Sequence, residues 1–240
     1  MFGVPKSINI VNKINTFIKS DKKYNRKYRV IITPPYTLLE SFSKIFKKKL
    51  ISIGSQNCYH KDNFSSNTGA VSPYMIKKIK AKYVIIGHSD NRAEGDTEDM
   101  LKKKVTFALK NKLKVIFCIG ENKKERSNKL TFKTLKKQLS KVLEKKLNKD
   151  NIIVAYEPIW SIGTGKIPKS SDLSKTIKFI KKVLSNIFKT KKSIKVLYGG
   201  SVDSSNIGQF RSLQEIDGFL IGGASKSSKN FIDIIKNYYR

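Results

Sequence analysis

Three groups of residues in this sequence have the chemistry needed to move protons and hold an anion. The first is the run 155–166, Ala-Tyr-Glu-Pro-Ile-Trp-Ser-Ile-Gly-Thr-Gly-Lys. In it Glu157 ends an apolar stretch, and a loop carrying Trp160, Gly163 and Gly165 follows. A carboxylate at a strand end below a glycine-bearing loop suits a base under a mobile lid that excludes water. A bare Glu-Pro is more often a cap or an ion-pair partner, so the pattern alone leaves both roles open. The second group is 83–92, where His88 follows the apolar run Tyr-Val-Ile-Ile-Gly. A lone histidine there is more often a hydrogen-bonded structural residue than a catalyst. The other histidine, His60, lies in a polar stretch and is read as structural. The third group is a set of glycines: Gly199-Gly200 before Ser201, and Gly222-Gly223. Adjacent glycines let backbone N–H groups approach a phosphate, and a helix start beyond them adds a favourable dipole. One such pair marks many ordinary turns. Two pairs on successive strands, with Gly163 in the loop before them, make a consistent phosphate grip. The run 163–166 superficially looks like a nucleotide phosphate loop, but Trp160 stands at the first glycine position and Ile167 follows the lysine, so that motif fails.

These groups need a scaffold that brings several strand ends together. Strand-like runs occur at 29–33, 51–57, 83–86, 114–119, 152–156, 195–198 and 218–221, separated by lysine-rich amphipathic stretches. In the stretch 97–113 the spacing puts Met100, Val105, Ala108 and Leu109 on one face and lysines on the other. The strand runs are almost continuously apolar, as parallel strands covered by helices are. Polar or glycine-rich residues follow most of them: Pro34-Pro35, Gln56-Asn57, Gly87-His88, Gly120-Glu121, Glu157-Pro158, Gly199-Gly200 and Gly222-Gly223. A barrel gathers its site at such C-terminal strand ends. An open nucleotide-binding sheet would instead carry Gly-x-Gly-x-x-Gly after its first strand, and none is present there. The pattern predicts an α/β fold, a (β/α)8 barrel, as one domain over 1–240 with no Pro/Gly/Ser-rich linker.

Bulk properties narrow the function classes. No apolar run reaches the roughly 18–20 residues of a membrane span. The opening Met1-Phe2-Gly3-Val4-Pro5-Lys6 lacks a secretory-signal layout, which makes a cytoplasmic protein the expectation. Cys58 and Cys118 each close an apolar run and are expected as buried free thiols. The formal net charge of +32 invites a nucleic-acid partner. Against it, the excess is mostly lysine rather than arginine, and it is scattered over helical faces instead of gathered in an arm. A basic nucleic-acid-binding barrel therefore stays the minor alternative, whereas a positive field would draw in a small anionic substrate.

Over almost the whole chain, in unbroken order, these motifs resemble the triosephosphate isomerase family. The resemblance is carried by Thr33-Pro34-Pro35-Tyr36-Thr37, by Ser55-Gln56-Asn57-Cys58-Tyr59 with Thr68-Gly69, and by Gly87-His88-Ser89. It continues through Phe117-Cys118-Ile119-Gly120-Glu121, the run 155–166, Leu197-Tyr198-Gly199-Gly200-Ser201-Val202 and Phe219 to Ser225. The resemblance implies a TIM barrel that interconverts dihydroxyacetone phosphate and glyceraldehyde 3-phosphate through an enediolate, with no metal or cofactor. It assigns Glu157 as the base, His88 as the group polarising the carbonyl, and Gly163, Ser201, Gly222 and Gly223 as the phosphate grip. Tyr198 would help latch the lid. A loop over 59–72 would reach into a second subunit, implying a homodimer. The family opens with a strand ending Asn-Trp-Lys-Met-Asn-Gly, whereas this sequence starts in a way that matches the motif from its methionine onward. The expectation is a barrel seen here without its first strand or that Asn and Lys. The family's usual Ser-Glu-Arg-Arg after the histidine is Ser89-Asp90-Asn91-Arg92, and Ala70 stands where an interface glutamate is common. These departures keep a non-catalytic homologue of the same fold as the alternative.

Overall fold

The computed structural model describes residues 3–22, 27–47, 49–61 and 66–239. The expected strands are all present: β1 (Val30–Ile32), β2 (Ile51–Ser55), β3 (Tyr83–Ile86), β4 (Lys114–Ile119), β5 (Ile152–Tyr156), β6 (Val196–Tyr198) and β7 (Gly218–Phe219). They form one sheet in sequence order, β1 to β7, with every neighbouring pair parallel. Helix α1 (Ile8–Ser20) precedes β1, and the helices crossing between the strands include α2 (Tyr36–Ile45), α3 (Pro73–Lys78), α4 (Ser89–Ala93) and α5 (Glu98–Lys110). After β4 come α6 (Lys123–Ser127) and α7 (Thr131–Val142), then α8 (Ser170–Phe188) after β5 and α9 (Ser228–Tyr239) at the end.

The central strands match their expected bounds because they are buried on both faces and paired on both edges. All four residues of β3 are buried, and β4 pairs β5 from Val115↔Ile152 to Ile119↔Tyr156. Runs 29–33 and 218–221 shrink to Val30–Ile32 and Gly218–Phe219, since among the described residues β1 pairs only with β2 and β7 only with β6. Run 51–57 stops at Ser55 because its hydroxyl donates to the Asn57 carbonyl and the Asn57 side chain accepts the Cys58 N–H. Both bonds turn the chain out of the ladder.

Two apolar layers hold the sheet. One lies inside its curl and joins Ile31, Tyr83, Ile85, Ile116, Ile153, Leu197 and Leu220, side chains from both ends of the strand order. That shared contact is what makes the sheet a barrel rather than an open layer. The other, larger layer lies between strands and helices and includes Ile14, Leu39, Leu101, Leu135, Ile177 and Ile234. α5 shows how local signals place such a helix. Thr97 caps it by accepting the Met100 N–H, and Glu98 and Asp99 sit at its positive end. Its buried face is Leu101, Lys104, Val105 and Ala108, which corrects the expectation of an apolar face opposite lysines. Lys104 is buried because its ammonium meets both Asp96 oxygens at 2.7 Å and Asn57 Oδ1 at 3.0 Å. A buried charge is tolerable only when paired in this way. Both cysteines are free and buried, as expected.

Candidate active site

Glu157 is the first residue beyond β5, and its N–H donates to the Ile119 carbonyl at 2.8 Å, which extends the β4–β5 ladder by one step. Only the absence of side chains next door makes room for it. A Cβ on Gly120 would lie 1.8 Å from the Glu157 carbonyl oxygen, and one on Gly199 would lie 2.7 Å from Glu157 Cγ. Glu157 is 4% exposed, and its Oε2 is buried without a hydrogen-bond partner. Burial raises its pKa above the ordinary carboxylate range, partly opposed by His88 and by the Cys118 thiol that bonds to it. Burial, with the charge of Glu157, in turn holds the Cys118 thiol well above its usual value, so Cys118 is a donor and not a thiolate.

His88 follows Gly87, whose φ of +79° turns the chain at the end of β3, and it caps α4. Its Nδ1 accepts the Asp90 N–H at 3.2 Å. The Asp90 carboxylate also lies 3.4 Å from Nδ1, but that side chain is mostly exposed, whereas a backbone N–H can only donate. The ring proton therefore belongs on Nε2, which faces Glu157 Oε1 at 3.5 Å. That separation is longer than a good hydrogen bond and leaves both groups available to a third. Arg92 ties this corner together, donating from Nε to the Gly87 carbonyl at 2.8 Å and from the guanidinium to the Cys118 carbonyl at 3.1 Å.

Beyond Glu157 the chain makes a short 3-10 turn, Ile159–Ser161, and then a loop in which Gly163 and Gly165 adopt φ of +67° and +74°. The base of this loop is bonded on both sides. Trp160 Nε1 donates to Glu121 at 2.9 Å, and the Arg126 guanidinium lies 4.3 Å from the Trp160 ring. Ser201 donates its hydroxyl to the Ser161 carbonyl at 2.7 Å and accepts the Gly165 N–H at 3.1 Å. Tyr198 reaches Ser161 Oγ at 3.1 Å, so its hydroxyl touches the stem of the loop. Gly222 and Gly223 follow β7, the strand beside the one leading to Ser201, and space is open where their Cβ atoms would be.

The sequence-derived pair Glu157 and His88 thus meets directly, and Ser201 meets the loop through Gly165 and Ser161 rather than through the exposed Gly163. The supporting residues were less visible in sequence. Glu121 is fully buried and accepts from Tyr156 at 3.1 Å as well as from Trp160, with Arg126 3.6 Å away. Its only sequence signal was a Gly-Glu pair after a strand. Gly120 and Gly199 could be recognised as strand-end glycines, but not as the walls around one carboxylate.

A parallel α/β barrel with a buried carboxylate facing an imidazole at its C-terminal mouth, beside a glycine-bearing loop, is the frame of an acid–base enzyme. Comparison with known proteins narrows that class. The family model for triosephosphate isomerase matches residues 4–238. A triosephosphate isomerase of Dictyoglomus thermophilum is 40% identical over 229 residues, covering 93% of this chain and 91% of that protein. One from Leptospira interrogans is 38% identical over 216 residues, covering 87% and 86%. The crystal structure of triosephosphate isomerase from Bartonella henselae superposes with a TM-score of 0.90 at 32% identity, covering 100% of this chain and 96% of that one. The chain belongs to the triosephosphate isomerase family.

Proposed function

We propose that this chain interconverts dihydroxyacetone phosphate and D-glyceraldehyde 3-phosphate, with Glu157 and His88 moving the protons. The observation that carries the reading is the buried, partner-poor Glu157 carboxylate 3.5 Å from the Nε2 side of His88. As base, Glu157 takes a proton from the carbon next to the carbonyl. The electron pair moves into the carbonyl oxygen, which hydrogen-bonds to the Nε2–H of His88 as its negative charge grows. Return of the proton to the neighbouring carbon completes the isomerisation. The raised pKa of Glu157 makes it a stronger base than a solvated carboxylate.

In this reading Gly163, Ser201, Gly222 and Gly223 hold the substrate phosphate, and closure of the loop over 157–167 excludes water while the enediolate exists. Ser201 already bridges two of the elements involved, through Ser161 and Gly165. The protein acts as a cytoplasmic homodimer through the loop over 59–72, of which residues 62–65 lie outside the described residues. Within the described part, Tyr59 N–H donates to the Val71 carbonyl at 2.8 Å and closes the base of that loop. Among the described residues no helix is long and apolar enough to cross a membrane.

The test is a coupled isomerase assay on the wild type, Glu157→Gln and His88→Gln. Glu157→Gln is expected to abolish nearly all turnover, and His88→Gln to lower kcat by about 10² to 10⁴-fold. Binding of a phosphate-bearing substrate analogue should largely survive both changes. Turnover near the wild-type rate in Glu157→Gln would sink the assignment.

A further inference from the structure

Gln138 is a polar residue on an apolar stripe. It lies in α7, and its spacing from the buried Leu135, Leu139 and Val142 puts all four on one helix face. A half-buried amide there needs partners, and Gln138 finds both on a single residue. Its Oε1 accepts the Gly120 N–H at 2.9 Å, and its Nε2 donates to the Gly120 carbonyl at 3.0 Å. Gly120 is the first residue beyond β4, past the end of both ladders. β4 pairs with β3 only as far as Phe117 and with β5 only as far as Ile119. The amide therefore does for this residue's backbone what a neighbouring strand does for a strand interior.

The load on Gly120 makes that clamp consequential. The Glu157 carbonyl lies where a Gly120 side chain would be, 1.8 Å from the position of its Cβ. On either side, the Ile119 carbonyl accepts the Glu157 N–H at 2.8 Å, and the Glu121 carbonyl accepts the Ile159 N–H at 3.0 Å. Residues 119–121 are thus the support on which 157–159 rests, and Gln138 fixes its middle. The Glu157 carboxylate has few ties of its own. Its Oε2 is unpartnered and its Oε1 is 3.5 Å from His88, with the Cys118 thiol beside it, so backbone placement decides where it points.

We propose that Gln138 is a positioning residue for the isomerisation, holding the Gly120 backbone and through it setting Glu157 at its distance from His88 and the substrate. The inference rests on the reaction assigned above. Among the described residues no hydrogen bond joins Gln138 to Glu157 or His88, so its influence passes through Gly120. Proton transfer tolerates little drift, and a displacement of about 1 Å can cost on the order of 10²-fold in rate. Release of Gly120 also admits water beside Glu157 and weakens the burial that raises its pKa.

Three variants of the full chain separate positioning from packing. Gln138→Met keeps the volume and removes both bonds. Gln138→Asn keeps the amide but is one methylene short. Gln138→Glu can accept the Gly120 N–H at any pH, but donates to the Gly120 carbonyl only when protonated. Rates are normalised to sites counted by titration with 2-phosphoglycolate, which discounts misfolded protein. The Met and Asn variants are expected to lower kcat by about 10- to 100-fold. KM should change less than about threefold, because the phosphate grip is separate. Gln138→Glu should regain rate relative to the wild type as pH falls and its new carboxyl group protonates. The Glu157 carboxyl carbon, identified in NMR spectra by its loss in Glu157→Gln, should titrate at lower pH in Gln138→Met than in the wild type. A packing role alone would lower Tm while kcat per site and the Glu157 titration stay at wild-type values, and that result overturns the inference. So does a pH profile of Gln138→Glu parallel to that of the wild type. A wild type without isomerase turnover would instead sink the reaction, and the carboxyl titration, which needs no turnover, would then decide the positioning by itself.

Discussion

Glu157 combines two properties that pull against each other in a folded protein. In the proposed reaction it would serve as a base because burial raises its pKa, and burial makes its charged form costly. A carboxyl group with a raised folded pKa binds its proton more tightly in the native than in the unfolded state. Native stability is therefore largest below the ordinary carboxylate range and declines as pH rises from there through the raised value. Glu157→Gln removes the titration while keeping the shape. It is expected to raise Tm at pH 7 relative to the wild type, with the difference shrinking as pH falls to about 4, where the unfolded carboxyl group also protonates. Thermal unfolding of both proteins across that range measures this. A variant no more stable than wild type at pH 7 would mean that His88 and Cys118 fully offset the cost of burial. The same site explains its glycines: any side chain at Gly120 would collide with the Glu157 backbone, whichever rotamer it chose.

At the scale of elements, the loop after β5 is held by what lies beneath it. Trp160 joins the buried Glu121 on one side, and Ser161 joins Ser201 and Tyr198 on the other. Trp160→Phe keeps a ring for Arg126 to cover but removes the N–H that Glu121 accepts. Glu121 would keep Tyr156 and Arg126 as neighbours, so the expected loss is about 1–3 kcal/mol, in the range for a buried acceptor deprived of one donor. The loss should be local as well as global. Hydrogen exchange over residues 157–167 should speed up more than exchange in β4, and equal acceleration everywhere would argue against Trp160 as an anchor of the loop.

For the whole molecule, the relevant property is assembly. Ala70 and Asn91 replace a charge pair that the family resemblance leads one to expect between subunits. Replacing both members of a buried pair can be nearly neutral, whereas leaving one charge unpaired is costly. The protein is expected to form a dimer as it stands. Asn91→Arg alone should weaken that dimer, and Asn91→Arg with Ala70→Glu should restore it. Sedimentation velocity across a dilution series decides the matter; a wild type that stays monomeric at high concentration contradicts the homodimer. The net charge of +32 acts at this scale too. It adds a positive field around a mouth meant for an anion, and salt would screen it over about 8 Å at physiological ionic strength.

Periodicity and punctuation alone determined the alternation of strands and helices, the exact bounds of β3, β4 and β5, and the strand-end position of Glu157 and His88. These are local properties: an apolar run between turn residues reads the same wherever the chain later goes. The motif order was enough to reach the family. Only the tertiary structure decided that Glu157 and His88 lie 3.5 Å apart, because residues 69 positions apart meet through the β3–β4–β5 pairing and not through any spacing in sequence. It also decided that Lys104 faces inward. A helical pattern counts lysine as polar, and the pairing that makes its burial tolerable comes from Asp96 and Asn57, the second of which is on a different turn of the barrel. The end strands fell short of their sequence bounds for the same kind of reason. Each is held by one ladder instead of two among the described residues, and that is a fact about three-dimensional adjacency rather than about residue type.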